Sequence, residues 1–198
     1  MSGSEGARVE VDRGGRPALT SAHELAEVAQ NLFLELGFDQ TSVDDIAAAA
    51  GVSRRTFFRY FSTKADVLWV ESAAEIGRFQ DLLAAAPPDE PYDEVLCRAA
   101  PEALHHPPEQ RTWALHRAQL ILSVPAVQEK AAVRHAEWRR IATEFVAVRR
   151  GSTADDLVAI AAGHAVLAAT LGAHEYWLAH PEEELREIMS RMLRLLLP

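Results

Sequence analysis

The segment from Ser53 to Lys64 carries cations in a pattern suited to binding a polyanion. It contains Arg54, Arg55, Arg59 and Lys64 and no acidic residue. A guanidinium group can donate two parallel hydrogen bonds to the edge of a guanine base, and an ammonium group pairs with phosphate as a point charge. The chemistry that this segment predicts is therefore recognition of base edges by Arg54 and Arg55, with phosphate contacts from the remaining cations.

The residues around this segment predict two short helices joined by a tight turn. Ser42 and Asp45 have the spacing of a capping box, so a helix is expected to begin at residue 43. Gly51 stands where the chain must turn sharply, and Ser53 can cap the next helix. Phe57 is expected to point inward, opposite the cations. This is the organisation of a helix-turn-helix, whose second helix enters the major groove of DNA.

The charge distribution limits how much nucleic acid the chain can cover. The whole chain has a net charge of −9, and its first 70 residues carry −3. A protein that coats nucleic acid without selectivity would be basic throughout. Positive charge confined to one helix predicts a small footprint, and if all four cations of each subunit in a dimer met phosphates, the salt slope of binding would be about −7 at most.

Composition predicts an all-α fold for the 198 residues, with about nine helices. Apolar residues make up 48%, and they recur at helical spacing without alternating runs. The single cysteine, Cys97, excludes an internal disulfide and fits a reducing cytoplasm. No run of 18 apolar residues is found, so no membrane partner is expected, and a cytoplasmic location is predicted.

Capping residues, prolines and glycines predict where the helices lie. The first is expected over residues 21–36, ahead of the helix-turn-helix, and a longer one over residues 63–85, starting from a Thr63–Asp66 capping box. Further helices are expected over residues 92–100, 109–123, 125–150, 153–179 and 181–197. Pro101, Pro125, Thr153 and Pro181 are taken as the boundary residues.

Three regions are predicted from this order. Residues 1–20 are expected to form a flexible arm in which Arg16 reaches towards DNA, residues 21–66 the DNA-binding domain, and residues 67–198 a ligand-binding and dimerisation domain. The last two helices are expected to join two subunits, because the first of them has a stripe of small residues and the second an apolar stripe. The small stripe comprises Ala161, Ala162, Ala165, Ala168, Ala169 and Gly172, and the apolar stripe Leu185, Ile188, Met189, Met192 and Leu195. The alternative is that both stripes face the chain's own core.

The first third of the chain resembles the tetracycline-repressor family of one-component regulators. The resemblance rests on a specific set of residues: Gly37, Phe38, Thr41, Val43, Ile46, Ala47, Ala50, Gly51, Val52, Ser53, Thr56, Phe57, Tyr60, Phe61 and Lys64. It implies a three-helix DNA-binding head and a helical body that binds a small molecule and dimerises through its last two helices. Such proteins are mostly repressors that release DNA when the small molecule binds.

The resemblance also assigns roles to single residues of this chain. It implies phosphate contacts by Tyr60 and Lys64 and a backbone or base contact by Thr56. Phe58 departs from the pattern, because a tyrosine is common there; Arg59 could compensate for the missing hydroxyl. The full set of expected DNA contacts is Arg16, Thr41, Ser53, Arg54, Arg55, Thr56, Phe58, Arg59, Tyr60 and Lys64.

Within the family, several short segments are similar to actinobacterial regulators of the mycofactocin-associated kind. These segments are residues 54–61 followed by Lys64, residues 125–128, Trp138-Arg139 and Gly163-His164. That subgroup implies an acyl-coenzyme A effector. The expected ligand-binding residues, which combine aromatic surface with polar groups, are Trp113, His116, Arg117, Trp138, His164, His174 and Trp177. Arg117 or Arg139 could meet a phosphate of such a ligand.

Two other classes of protein stay open at this point. An all-helical enzyme is possible, although the sequence has no glycine-rich phosphate loop, serine elbow, HExxH motif or convincing carboxylate pair, and no cofactor is predicted. A helical adaptor without a DNA role is the other, but it would not need the cationic helix. No metal site is predicted, because His105, His106 and Glu109 are too few ligands with workable spacing.

Overall fold

The computed structural model describes residues 21–197, and that part of the chain is all-helical, as the sequence predicted. It contains no strand and has nine α-helices. The α-helices are α1 (Ala22–Leu36), α2 (Val43–Ala50), α3 (Arg54–Tyr60), α4 (Ser72–Ala84), α5 (Tyr92–Ala103), α6 (Arg111–Ser123), α7 (Pro125–Arg150), α8 (Leu157–Ala179) and α9 (Leu185–Leu196). Two 3₁₀ helices, Lys64–Trp69 and Pro108–Gln110, precede α4 and α6; the first is called the connecting helix below.

The helix-turn-helix forms for the local reasons that the sequence indicated. Ser42 and Asp45 cap α2 reciprocally, and Ser53 accepts the backbone N–H of Thr56 at the start of α3. Gly51 has φ of 69°, a left-handed conformation that residues with a side chain rarely adopt. Phe57 is fully buried and holds α3 against α1 and α2.

The core of the head does not end with the first three helices. Its buried residues include Leu120 of α6 together with Val127 and Ala131 of α7. The head is therefore packed directly on the two helices that begin the second half of the body. A change in the position of α6 or α7 must be transmitted to this core, because packed interiors leave little free space.

The prediction of one continuous helix over residues 63–85 is wrong. Thr63 and Asp66 form the expected capping box, but a 3₁₀ helix follows as far as Trp69, and the α-helix resumes only at Ser72. Val67, Leu68 and Trp69 are consecutive and all buried, which one face of a regular α-helix cannot achieve. Successive side chains of a 3₁₀ helix point in three directions, so all three are buried because other helices, α1 and α6 among them, cover this segment on more than one side.

Three other helix boundaries differ from the prediction. Helix α5 continues through Pro101 to Ala103, because Ala99, Ala100 and Ala103 are fully buried and their packing outweighs the lost hydrogen bond. Asp156, without Thr153, caps α8 through the N–H groups of Val158 and Ala159.

Helix α9 begins at Leu185 rather than at Pro181. The acidic residues before it were expected to form the first turn of the helix, but they lie outside it and have partners of their own. Glu183 accepts the Tyr176 hydroxyl at 3.0 Å, and Glu184 pairs with Arg111 of α6. This segment therefore ties the end of α8 to α6.

The two stripes predicted to join subunits largely serve the chain's own core. Leu185, Ile188 and Met189 of α9 are buried against the body, and the sulfur of Met192 approaches Gly172 of α8. In the small stripe of α8, Ala162 and Ala169 are buried while Ala161 and Ala168 are exposed. At Gly163, a Cβ would collide with Thr143 and lie 2.8 Å from the Arg139 carbonyl oxygen, so α7 and α8 cross closely.

Helix α8 is long and apolar enough to cross a membrane, which the sequence analysis did not anticipate. Its mean hydropathy reaches 1.6 over 18 residues, and 39% of that window is buried inside the protein. Length and composition alone are weak grounds for a membrane span, since core helices of soluble proteins share them. Here α7 and α9 pack along this helix.

Candidate nucleic-acid interface and ligand cavity

Helix α3 presents its three arginines outward, as the sequence predicted. Arg54, Arg55 and Arg59 are exposed, whereas Phe57 on the opposite side is fully buried. The short helix is held in place by the Ser53 cap and the aromatic packing of Phe57 against Phe61 at 5.6 Å. The result is a rigid, exposed row of guanidinium groups, which matches the geometry that major-groove recognition requires.

The three arginines have different surroundings. Arg54 pairs with Asp44 of α2 at 2.8 Å and lies over the Phe58 ring at 5.3 Å. This ion pair is exposed on both sides and contributes about 0–1 kcal/mol, so Arg54 can exchange Asp44 for a base or a phosphate at little cost. Arg55 makes no hydrogen bond or ion pair with any residue in the range 21–197. Its guanidinium group is therefore fully available to a ligand.

Arg59 and Tyr60 act as a pair at the end of α3. Arg59 donates to the Tyr60 hydroxyl oxygen at 3.1 Å, and its guanidinium group lies 4.9 Å from the centre of the Tyr60 ring. The hydroxyl oxygen accepts in this contact. A cation and a hydroxyl are thus presented together, and Arg59 supplies charge beside Phe58, which lacks a hydroxyl.

The structure assigns Thr41 and Lys64 to the fold rather than to the exposed row. Thr41 is fully buried, and its hydroxyl donates to the carbonyl oxygens of Gly37 and Leu32. Lys64 donates from Nζ to the carbonyl oxygens of Phe38 at 2.6 Å and Thr41 at 2.9 Å. These bonds hold the turn that joins α1 to α2 in place. Both side chains have partners within the head, and their contacts with DNA stay a prediction.

Ser53 and Thr56 have mixed roles, and one predicted contact lies elsewhere. Their hydroxyls are 2.9 Å apart and bond to each other while Ser53 also caps α3. Ser53 is exposed and Thr56 half-buried, so both border the arginine row. Arg16, with the rest of residues 1–20, lies outside the described residues.

The body contains a cavity between the connecting helix, α4, α6, α7 and α8, which is called the inner cavity below. It has a volume of ≈ 690 Å³ including its open mouth. Its walls are mainly apolar, with a few polar and charged groups, as is usual for small-molecule sites. The lining residues are Trp69, Ser72, Glu75, Leu104, His106, Ala114, Arg117, Ala118, Ile121, Leu122, Arg134, His135, Trp138, Leu167, Thr170, Leu171 and His174.

A buried ion pair lies in the wall of the inner cavity. Arg117 of α6 bonds both carboxylate oxygens of Glu75, with 2.9 Å between Nη2 and Oε2. The third donor, Nε, binds the carbonyl oxygen of Leu68 in the connecting helix at 2.8 Å. Burial raises the pKa of Glu75, but the charge and hydrogen bonds of Arg117 outweigh it, so the pKa lies below its ordinary value. Glu75 is therefore ionised at neutral pH.

The histidines around this pair are neutral. Burial, followed by the positive charge of Arg117, lowers the pKa of His106 to about 4. Burial also lowers the pKa of His174, whose Nδ1 contacts the carbonyl oxygen of Thr170 at 2.8 Å. A neutral imidazole has one donor and one acceptor, and the Nδ1–H of His174 is already given to Thr170. These groups therefore suit a polar but uncharged part of a ligand, with only the Nε2 acceptor of His174 left for it.

The structure brings together only some of the predicted ligand-binding residues. Arg117, Trp138 and His174 line the inner cavity, while His116 is half-buried on α6 outside its lining. Trp177 belongs to a different groove, of ≈ 780 Å³, beside Arg111.

The two remaining candidates lie away from any shared site. His164 is exposed on the outer face of α8, near Arg139. Trp113 is packed between His23 of α1 and His106, with its ring 4.6 Å from the former and 5.8 Å from the latter. Trp113, His116, His164 and Trp177 therefore do not line the inner cavity, and their role in ligand binding stays a prediction.

Sequence reasoning missed Glu75, Trp69 and Arg134, which lie in the cavity wall. One signal was available for Glu75. It stands four residues before Phe79 and eight before Leu83, on the apolar stripe of α4, where a charged residue requires a buried partner. For Trp69 and Arg134 the sequence holds no such signal, because the 3₁₀ helix that sets their approach was not predicted.

Comparison with known proteins agrees with this architecture. Residues 25–68 match the model of bacterial regulatory proteins of the tetR family, and residues 90–198 match the MftR C-terminal domain. The chain is 34% identical over 179 residues to the mycofactocin biosynthesis transcriptional regulator MftR of Mycobacterium tuberculosis, and covers 90% of both chains.

Solved structures have the same fold. A TetR-family regulator from Syntrophomonas wolfei superposes with a TM-score of 0.65 at 17% identity, covering 88% of this chain and 91% of that one. FadR of Thermus thermophilus, a repressor solved with lauroyl-CoA, has a TM-score of 0.56 at 26% identity and covers 89% and 93%. With a helix-turn-helix head and a helical body that both match, this chain belongs to the tetracycline-repressor family of transcriptional regulators.

Proposed function

We propose that this regulator is a homodimeric repressor that leaves its operator when a largely apolar effector enters the inner cavity. One contact carries the proposal: Arg117, which lines the cavity, holds the carbonyl oxygen of Leu68 at 2.8 Å. Leu68 belongs to the connecting helix, which follows α3 after three residues. A ligand that shifts Arg117 therefore acts on the segment that positions the recognition helix.

The exposed row on α3 is the proposed DNA-reading surface. Arg55 has no partner among the described residues and Arg54 only an exposed one, so both are assigned to base edges. Arg59, Tyr60, Ser53 and Thr56 are assigned to phosphates. If all three arginines of each subunit contacted phosphates, a dimer would neutralise six phosphates with a salt slope of about −5, and the two arginines placed on base edges make the slope shallower than this limit.

The proposed subunit interface uses the surfaces of α8 and α9 that the chain's own core leaves open. Leu157 is 80% exposed and Ile160 40%, while at the end of α9 Leu195 is 85% exposed. Exposed apolar residues that recur along one helix face favour contact with a second copy. A two-fold dimer presents two recognition helices about 34–36 Å apart to successive major grooves.

An acyl thioester of coenzyme A is the effector class that we propose. The inner cavity has long apolar walls for an alkyl chain, formed by residues such as Leu122, Leu167 and Leu171. The Thermus FadR relative was solved with lauroyl-CoA. We further propose that residues 21–66 and 67–198 act as the DNA-binding and effector-binding units of a cytoplasmic protein.

A fluorescence-anisotropy titration of DNA from upstream of the chain's own gene tests this function. The expected result is sequence-selective binding that weakens with salt at a slope shallower than about −5, and dissociation on adding lauroyl-CoA. The absence of selective binding would contradict the regulator and favour an enzyme or an adaptor. Selective binding that lauroyl-CoA leaves unchanged would retain the DNA-binding role and remove this effector class.

A further inference from the structure

Trp69 contains a buried hydrogen-bond donor without a partner. It is the last residue of the connecting helix and is 8% exposed. Its indole Nε1 is the one buried side-chain nitrogen or oxygen in residues 21–197 that makes no hydrogen bond. An unsatisfied buried donor is costly and rare in native structures, so it calls for an explanation.

Other tryptophans of the chain do find acceptors for the same group. Trp177 donates from Nε1 to the carbonyl oxygen of Glu183 at 2.9 Å. Trp113 donates from Nε1 to the amide oxygen of Gln30 at 3.1 Å, with the Gln30 amide in the orientation that satisfies both its oxygen and its nitrogen. The fold thus supplies acceptors to indoles that serve only its own stability, and Trp69 differs from them in lining the inner cavity.

The surroundings of Trp69 favour an electron-rich partner. The guanidinium group of Arg134 lies 4.6 Å from the centre of the Trp69 ring, so positive charge is present at this end of the cavity. The nearby carboxylate of Glu75 is committed to Arg117 through two hydrogen bonds. A neutral or anionic oxygen on the ligand would therefore meet a donor and a favourable field there.

We propose that Trp69 donates its indole N–H to a carbonyl or carboxylate oxygen of the effector. This inference rests on the proposed function of the inner cavity. It makes Trp69 a specificity-determining residue that distinguishes an oxygen-bearing acyl group from a plain alkyl chain, because only the former satisfies the donor.

The position of Trp69 also gives the bond a consequence for DNA binding. The connecting helix is tied to the body by Arg117 at Leu68 and by Lys130, whose Nζ lies 3.0 Å from the Asp66 carboxylate. A new bond at Trp69 adds a third attachment to the same helix, on the cavity side. Effector binding at this point therefore acts directly on the position of the connecting helix, which follows α3.

Isothermal titration of the whole protein with three probes tests the assignment. The probes are lauroyl-CoA, laurate and S-dodecyl-CoA, a thioether that lacks the carbonyl oxygen. Trp69→Phe keeps an aromatic ring beside Arg134 and removes the donor. The variant is expected to lose about two- to tenfold in affinity for lauroyl-CoA or laurate, whichever supplies the acceptor oxygen, and to bind S-dodecyl-CoA as the wild type does. Loss with lauroyl-CoA identifies a thioester carbonyl as the acceptor, and loss with laurate a carboxylate.

Trp138→Phe is the matched control, because Trp138 lines the same cavity and is also buried. It is expected to change the affinities for lauroyl-CoA and S-dodecyl-CoA equally. The same equal change in Trp69→Phe, or no change, would overturn the assignment. If no probe binds the wild type, the assignment is also overturned, while selective operator binding would still stand.

A second measurement covers the case in which Trp69→Phe does not fold. In the wild-type protein, the indole N–H resonance of Trp69 is expected to shift downfield when the oxygen-bearing probe binds and to stay in place with S-dodecyl-CoA. Equal shifts with both probes would contradict the hydrogen bond.

Discussion

Gln30 of α1 and Trp113 of α6 exchange two hydrogen bonds across the boundary between head and body. The Gln30 amide donates to the Trp113 carbonyl oxygen at 3.2 Å and accepts from its indole Nε1 at 3.1 Å. Gln30 is 1% exposed and Trp113 5%, so both bonds are shielded from water. Trp113 thus fixes the head on the body, although its ring resembled a ligand-binding residue in the sequence.

Replacing Gln30 by methionine keeps the volume but leaves the indole N–H of Trp113 buried without a partner and removes a second bond to its carbonyl oxygen. We expect the free energy of unfolding to fall by about 1–3 kcal/mol. Urea denaturation followed by circular dichroism measures this, with Gln119→Met, an exposed position on α6, as the control. Equal stability of the two variants would show that the pair is not important for the fold.

Arg55→Ala tests base reading by the recognition helix. Because Arg55 has no partner among the described residues, its removal should leave stability unchanged. Operator affinity is expected to fall by about 1–3 kcal/mol, and selectivity at one base pair should be lost. Anisotropy titrations with matched and single-mismatch operators measure both quantities. Arg140→Ala, on α7 far from α3, is the control; a uniform loss over all operators would assign Arg55 to phosphate instead.

Lys64→Met distinguishes a structural lysine from a phosphate contact. Its Nζ satisfies carbonyl oxygens of Phe38 and Thr41, so we expect the head to lose about 1–3 kcal/mol of stability. The salt slope of operator binding should be unchanged in the folded variant. A slope lower by about 1, with normal stability, would restore the phosphate contact that the sequence suggested.

These cases indicate how far sequence reasoning reaches in this chain. The α3 arginines were found because local rules suffice: a capping box, a glycine turn and a helical period fix which side is exposed. Lys64 and Trp113 carry the same kinds of side chain, but their partners are 23 to 83 residues away along the chain. Such pairings depend on how helices pack, which local spacing does not contain.

The inner cavity was even less accessible to sequence reasoning. Its wall joins the connecting helix to four α-helices, and the sequence analysis expected a single helix over residues 63–85 where the connecting helix and α4 lie. Arg117 and Trp138 were predicted from residue type alone. Glu75, the partner that makes a buried Arg117 possible, was not.

The buried pair of Glu75 and Arg117 allows a test of whether effector binding in the inner cavity is coupled to operator release through Arg117. Glu75→Gln leaves the Arg117 charge without its counter-ion, and we expect a loss of about 3–5 kcal/mol of stability. The double variant Glu75→Leu with Arg117→Met removes both charges and should recover most of it. It lacks the bond to the Leu68 carbonyl oxygen, so operator release by lauroyl-CoA should be impaired although the operator is still bound. Unimpaired release would contradict transmission through Arg117.

We expect the free energy of unfolding to fall under mildly acidic conditions because of His106. Its pKa is lowered to about 4 in the folded protein, whereas the ordinary value is 6.5. As pH falls from 6.5 towards 4, the unfolded chain therefore takes up a proton that folded His106 does not, and the unfolded state is favoured. At pH 5 this group alone should lower the free energy of unfolding by about 2 kcal/mol relative to pH 7.5.

His106→Gln should reduce the pH dependence of the free energy of unfolding by that amount, without abolishing it, because burial lowers the pKa of His174 and His135 in the same direction. Urea denaturation at the two pH values measures the effect, and His105→Gln, at the exposed neighbouring position, is the control. An unchanged pH dependence in His106→Gln would show that the pKa of His106 is not lowered by folding, so that folded His106 takes up its proton beside Glu75 as readily as the unfolded chain does.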